Sequence, residues 1–290
     1  MFANRVRKNF RRLHGVFERR GIGAFRLYDR DIPEIRAVAD WYEGHLVVAE
    51  YEREQTGPGW LESMAAAAAQ ALQVPGERVH LKRRRTGAAR YQRLAHAGQR
   101  LEVRERDLRF LVNLDDYIDT GLFADHRETR ALVRAEARGA LFLNLFGYTG
   151  SFTCAAARGG ARSTTTVDAS ANYLDWARDN LLLNGVEGAE MVRAEVGDFF
   201  ERAAGRRWTL CMLDPPSFSD RGGFDVQQDH RELIDRSLEL LEPSGVLWFA
   251  TNHQRFEPRL QGLHCEEKTE ETVPIDYRNR AAHRSFRIVK

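Results

Sequence analysis

The sequence predicts an α/β fold: a doubly wound parallel sheet over residues 111–290, preceded by a small α+β domain over residues 1–110. Three observations predict it. From Gly121 onward, apolar strand-like segments alternate strictly with amphipathic helical ones, the pattern of a parallel sheet covered on both faces. Three of those strands run into polar turns, where such sheets bind ligands. The charge also changes sign along the chain. Residues 1–110 carry 22 Lys/Arg against 14 Asp/Glu, a balance of +8, and residues 111–290 carry 22 against 28, a balance of −6.

The elements follow in order. Val6, Phe10, Leu13 and Phe17 recur at helical spacing and predict an amphipathic helix over Asn4–Arg20, its other face filled by arginines. Strand-like runs stand at Ala24–Tyr28, Ala37–Trp41 and Leu46–Tyr51, separated by turn residues. An alanine-rich helix is expected over Trp60–Gln73. A short strand at Val79–Leu81, the basic loop Lys82–Arg93, and strands at Leu101–Arg104 and Arg109–Val112 complete an antiparallel α+β domain. Beyond it lie helix Leu122–Arg138, strand Leu141–Leu145, helix Ser151–Arg158, strand Thr164–Val167 and helix Ala171–Asn184. Strand Glu190–Ala194, a helix from Asp198, strand Trp208–Leu213, helix Val226–Leu241 and strand Val246–Ala250 come next. Two closing strands, Leu263–Thr269 and His283–Val289, have no helical crossover and suggest an antiparallel hairpin.

Three segments carry the chemistry. Leu141–Gly150 (LFLNLFGYTG) is a buried strand entering a glycine turn, which lets backbone approach a ligand that a side chain would exclude. Thr164–Ser170 (TTTVDAS) ends in Asp168, 18 residues after Gly150, near the spacing at which an acidic residue reaches a ribose hydroxyl. Capping of the next helix is the other role open to an Asp there, and Ser170 could play that part too. Leu210–Ser219 (LCMLDPPSFS) ends in a carboxylate, two stiffening prolines and an aromatic ring, a corner suited to a flat heterocycle. Together the three point to methyl transfer from S-adenosylmethionine. A nicotinamide enzyme would show Gly-x-Gly-x-x-Gly, whereas this turn reads Gly147-Tyr148-Thr149-Gly150.

Composition narrows the rest. No apolar run approaches the roughly 18 residues of a membrane span. The basic N-terminus lacks the apolar stretch of a secretory signal, and cysteines without disulfide spacing make a reducing cytoplasm the expected location. Cys154, Cys211 and Cys265 show no metal or disulfide spacing, and no metal is expected. The basic first half, mostly arginine, suits a polyanion such as RNA.

Asn113–Arg127 (NLDDYIDTGLFADHR), Asn144–Gly150, Gly160–Asp168, Asp214–Ser219, Phe224–His230 (FDVQQDH) and Tyr277–His283 (YRNRAAH) resemble a known family. So does the opening, NRVRKNFRRL and FRLYDRDIPE. The family is the C-terminal, guanine-N(7)-methylating half of the fused bacterial enzyme that methylates two guanines of 23S ribosomal RNA. The resemblance covers essentially the whole chain. It implies a Rossmann-like class I methyltransferase sheet, S-adenosyl-L-methionine as cofactor, and 23S rRNA or a large-subunit precursor as partner. A separate partner methyltransferase would stand in for the half of the fused enzyme that this chain lacks. The cytosine-5 family is a more distant relative, and its nucleophilic cysteine has no counterpart at Ala250-Thr251-Asn252-His253.

The resemblance and the motifs together give the expected site. Asn144, Phe146, Gly147, Tyr148, Thr149 and Gly150 should wrap the methionine end of the cofactor. Asp168 should hold its ribose, with Ser170 beside it, and Asp198 its adenine unless it caps a helix. Asp214, Pro215 and Phe218 should border the target base as the catalytic corner, with Asp214 also facing the cofactor. Tyr117, Asp119, Phe123, Asp125, His126 and Arg127 should form the substrate side. Arg83, Arg84, Arg85 and the first helix should meet RNA phosphates.

Overall fold

A computed structural model describes residues 1–51, 57–84, 98–219 and 224–290, excepting the side chains of Arg84 and Ser219. The chain divides into two compact units, Met1–Ala124 with Ile275–Asn279, and Asp125–Pro274 with Arg280–Lys290.

In the first unit, helix α1 (Phe2–Arg19) buries Phe2, Val6, Leu13 and Phe17 and leaves its arginine face outward. Strands β1 (Ala24–Asp29), β2 (Ala37–Tyr42) and β3 (His45–Tyr51) form an antiparallel meander. Helix α2 (Trp60–Leu72) then carries the chain to β4 (Val79–Arg84), which pairs parallel with β3 from Leu46↔Val79 to Tyr51↔Arg84. The sheet is therefore not antiparallel throughout, because a helix between two strands supplies the crossover that parallel pairing needs. The first three residues of the expected basic loop, Lys82–Arg84, continue β4. Strands β5 (Leu101–Glu105) and β6 (Leu108–Val112) form a separate hairpin.

This unit continues past residue 110. The Asn113 N–H donates to Thr120 O at 2.8 Å, and the Tyr42 hydroxyl shares a hydrogen bond with Thr120 Oγ1 at 3.0 Å. The buried Lys82 ammonium donates to the Tyr117 carbonyl. A distant segment also returns: the Asp276 carboxylate accepts the Arg26 N–H at 2.8 Å, and the Arg26 guanidinium lies 4.5 Å from the Tyr277 ring centroid. These bonds move the observed division from residue 110 to Ala124.

The second unit contains helix α3 (Arg127–Glu136), strand β7 (Leu141–Leu145), helix α4 (Ser151–Arg158), strand β8 (Ser163–Asp168) and helix α5 (Ala171–Leu183). Strand β9 (Glu190–Arg193), helix α6 (Val196–Arg202), strand β10 (Trp208–Leu213) and the short strands β11 (Phe218–Ser219) and β12 (Phe224–Asp225) follow. Helix α7 (Val226–Glu239), strands β13 (Leu241–Thr251) and β14 (His264–Glu267), helix α8 (Thr269–Thr272) and strand β15 (Arg284–Val289) complete it. The sheet order is β14-β15-β13-β10-β7-β8-β9, parallel from β13 to β9, with β15 antiparallel to both its neighbours. The expected helix Leu122–Arg138 begins only at Arg127, after a short 3-10 turn over Ala124–His126. The closing strands are joined by α8 and the Ile275–Asn279 excursion rather than by a tight hairpin.

Candidate active site

Sheet register brings the three polar turns together. Leu145 of β7 pairs with Leu213 of β10 on one side and Val167 of β8 on the other. Phe146, Asp214 and Asp168, each the next residue, therefore stand at one level on three adjacent strands. The strand order reverses at β7, the position at which open α/β sheets bind ligands beyond their strand ends.

The turn after β7 is held in an unusual backbone. Phe146, Tyr148 and Gly150 lie at φ +55°, +47° and +73°, and left-handed non-glycine residues are strained conformations that gather at functional sites. Gly147 lies so close to β8 that a Cβ on it would meet Thr166 Cγ2 at 2.3 Å, and its N–H donates to Val167 O at 2.8 Å. The Asp168 carboxylate accepts the Tyr148 N–H at 2.9 Å and the Ser170 N–H at 2.8 Å. The Thr149 carbonyl accepts the Asn180 amide at 2.8 Å. Burial raises the Asp168 carboxyl above its ordinary value, with those two backbone N–H groups opposing the rise.

Two expected cofactor residues have other work in this structure. Asn144 is 1% exposed and donates inward to Thr153 Oγ1 at 3.0 Å, which shares a 2.7 Å bond with Thr166 Oγ1. It holds the turn from beneath. The Ser170 side chain caps α5, accepting the Tyr173 N–H at 3.3 Å. Asp198 sits inside the first turn of α6, whose cap position is Glu195, so it does not cap that helix.

At the end of β10, Asp214 is 22% exposed and its Oδ2 lies 3.8 Å from His126 Nε2. Pro215 is buried, and the Phe218 ring, 47% exposed, lies 5.2 Å from His253. The His126 ring stacks on His283 at 4.2 Å and 20°. His283 Nδ1 is 3.3 Å from Asp125 Oδ2, and its Nε2 is 3.1 Å from Thr272 Oγ1. Burial and then the neighbouring Asp125 carboxylate push Asp214 up to about 7, against the pull of Arg130. Burial and then His283 push His126 down to about 3, so its ring is neutral near pH 7.

Asp125, His126 and His283 offer ligand atoms within 4.8 Å of one another. Their geometry nonetheless suits hydrogen bonding better than metal binding. Imidazole binds a metal along an in-plane lone pair, and an ion shared by two stacked rings would stand well out of at least one plane.

Both the sequence and the fold have parallels in known proteins. A family model described as S-adenosylmethionine-dependent methyltransferase matches residues 24–283. The chain belongs to that family. Its cofactor is S-adenosylmethionine. The chain is 42% identical to the ribosomal RNA large subunit methyltransferase K of Neisseria meningitidis serogroup B, over 99% of this chain and 86% of that one. It is 45% identical to the ribosomal RNA large subunit methyltransferase K/L of Pseudomonas aeruginosa, over 99% of this chain and 42% of that one. The chain thus spans about two fifths of the length of the K/L relatives it matches. Among solved structures, a SAM-dependent methyltransferase from Streptococcus mutans matches with a TM-score of 0.78 at 21% identity, over 100% of this chain and 81% of that one. A methyltransferase complexed with SAH matches with a TM-score of 0.75 at 21% identity, over 99% of this chain and 82% of that one. These two show the Rossmann-like fold.

As a site for this family's cofactor, the Asp168 corner fits. An ionised carboxylate has about four acceptor positions, and two backbone N–H groups leave room for vicinal ribose hydroxyls. The expected substrate segment crosses the two units, with Tyr117, Asp119 and Phe123 in the first and Asp125, His126 and Arg127 in the second. Arg127 is wholly buried, its Nε 3.7 Å from the Glu128 carboxylate. Arg83 pairs with Glu50 at 3.1 Å and also with Glu62, so two carboxylates already compensate its charge. The Arg84 side chain and all of Arg85 lie outside the described residues. His283, which closes the resembling segment Tyr277–His283, joins this corner as a residue to which the sequence alone gives no role.

Proposed function

We propose that the chain transfers the methyl group of S-adenosylmethionine to the N7 atom of a guanine in large-subunit ribosomal RNA, held unpaired or flipped. The observation that carries the reading is the Asp214 corner: a carboxylate at the ligand-binding end of β10, backed by Asp125 and by an imidazole kept neutral. Guanine N7 has an in-plane lone pair and no proton, so its methylation needs alignment at roughly 3–3.5 Å rather than a base. The product ring is cationic, and an ionised Asp214 would stabilise charge as it develops. S-adenosylmethionine supplies the electrophilic methyl group. The Phe146–Gly150 turn and Asp168 bind and orient it, and Phe218 stacks on the acceptor. The names of the K and K/L relatives support ribosomal RNA as the substrate class.

Cytosine-5 chemistry would need a thiolate. Cys154 and Cys211 are buried in the core; burial pushes the Cys154 thiol up to about 12 and raises the Cys211 thiol as well. A second reading, methylation of an exocyclic base amine, draws on the raised Asp214 value, since such a carboxylate accepts a proton more readily. Mass mapping of 23S RNA from a deletion strain, with nucleoside standards, tests both. Loss of one N7-methylguanosine, restored by the purified protein, is expected. Loss of an N2-methylated guanosine instead selects the second reading, and unchanged RNA rejects both.

A further inference from the structure

In the first unit, three side chains unrelated to the methyl-transfer corner form one hydrogen-bonded chain. Asp115 Oδ1 lies 2.7 Å from His80 Nδ1, and His80 Nε2 lies 3.0 Å from His45 Nδ1. Asp115 is itself fixed, its N–H donating to Asn113 Oδ1 at 3.0 Å. The geometry gives the chain a direction. A carboxylate only accepts, so His80 Nδ1 carries the proton and, in the neutral ring, His80 Nε2 accepts. His45 Nδ1 must then donate, which leaves His45 Nε2 as a bare lone pair. Among the described residues that nitrogen has no hydrogen-bond partner, and the ring is half-buried. Burial, then His80 and then Arg78, holds His45 below the ordinary imidazole value, so the lone pair persists near pH 7.

Beside it stands Arg78, exposed in the 3-10 turn just before β4, with a guanidinium that a Cβ on Gly44 would approach to 3.4 Å. Arg78 has no ion pair among the described residues. The pairing of an acceptor with a nearby free cation matches RNA rather than DNA, because a ribose offers a 2′-hydroxyl donor next to its phosphate. We propose that His45 Nε2 accepts a hydrogen bond from a ribose 2′-hydroxyl while Arg78 takes the neighbouring phosphate, making this corner of the basic unit a sugar-reading RNA contact. The inference rests on the reading of the substrate as RNA. One added proton would convert His45 Nε2 from acceptor to donor, so sugar selectivity should weaken as pH falls.

Fluorescence anisotropy of the full chain tests this at fixed salt with a short single-stranded RNA, the same sequence as DNA, and its 2′-O-methyl form. The wild type should favour RNA over both. His45→Phe should weaken RNA binding about fivefold to tenfold, the size of one hydrogen bond, and leave DNA and 2′-O-methyl RNA unchanged. His45→Gln should keep part of the preference, since its amide oxygen can accept at a similar place. Should His45→Phe fail to fold, Asp115→Asn carries the same test, as an amide donates as well as accepts and no longer fixes the chain's direction. Parallel loss on all three probes, or no loss on any, overturns the proposal. Absence of methyl transfer with sugar preference intact would instead strike the functional reading and spare this one.

Discussion

The Asp168 carboxylate accepts the Tyr148 backbone N–H at 2.9 Å, tying the end of β8 to the strained turn after β7. One side chain therefore shapes the turn and, in the functional reading, holds the ribose. Asp168→Ala should weaken S-adenosylmethionine binding by about 1–3 kcal/mol, the cost of stranding hydrogen-bonding groups. Titration calorimetry measures this directly. An unchanged dissociation constant in a folded variant would remove Asp168 from the site.

Gly147 offers a test of packing without chemistry. Its φ is not positive, so alanine is compatible with the backbone, and the obstacle is Thr166 Cγ2 at 2.3 Å. Gly147→Ala should cost about 1–3 kcal/mol of stability, the usual range for overpacking. Thr166→Ser removes that methyl and keeps the hydroxyl bonded to Thr153. Thermal and urea melts of the double variant should show a clear rescue, because residues in contact are not additive. Additive losses would mean that the turn fails for another reason.

Asp214 links stability to pH. An unfolded Asp titrates near 3.9, and burial with Asp125 nearby raises the folded value to about 7. The folded state holds the proton more tightly, so this group's stabilising contribution is full below about pH 4 and is lost as pH rises through about 7. Asp214→Asn removes that loss and should stabilise the protein at about pH 8 relative to about pH 5, by an order of 1–4 kcal/mol. Methyl transfer should run the opposite way in the wild type, rising as Asp214 ionises. Asp125→Asn removes the like charge and should shift both transitions to lower pH. Urea melts and kcat/KM profiles across this range provide the check, and a pH-independent effect of Asp214→Asn would contradict it.

The second unit was largely legible because its signals are local. Buried strands ending in Asn144-Leu145-Phe146-Gly147, Val167-Asp168 and Leu213-Asp214-Pro215 announce both the elements and the level at which they end. What the sequence did not reveal depends on distant partners. Asp276 bonds Arg26 across 250 positions, and His283 reaches Asp125 across 158, so neither contact leaves a periodic trace. Arg83 reads as a free cation in a basic run, yet Glu50 and Glu62 meet it only after β3, α2 and β4 assemble. Asn144 reads as a turn residue beside a ligand, whereas the hydroxyls of Thr153 and Thr166 draw its amide inward. Polar type and position along the chain do not say which way a side chain faces at a strand end.

Phe218 carries the sharpest prediction about the acceptor. Its ring is 47% exposed beside His253, next to the Asp214 corner. Guanine N7 in an A-form duplex lies in a deep, narrow groove that side chains can scarcely enter, so the target base must leave the helix. A ring beside the reacting groups would hold that base by stacking worth roughly 1–3 kcal/mol. Phe218→Ala should then lower turnover at subsaturating RNA by about tenfold to a hundredfold, following the exponential dependence of rate on barrier. Phe218→Tyr keeps the π-face and should retain most of the activity. S-adenosylmethionine binding should be the same in all three proteins, because the ring serves the acceptor. Steady-state kinetics with varied RNA, paired with cofactor titration, separates the two ligands. If Phe218→Ala instead loses cofactor affinity and keeps wild-type RNA kinetics at saturating cofactor, the ring belongs to the cofactor and the Asp-Pro-Pro-Ser-Phe corner must be reassigned with it.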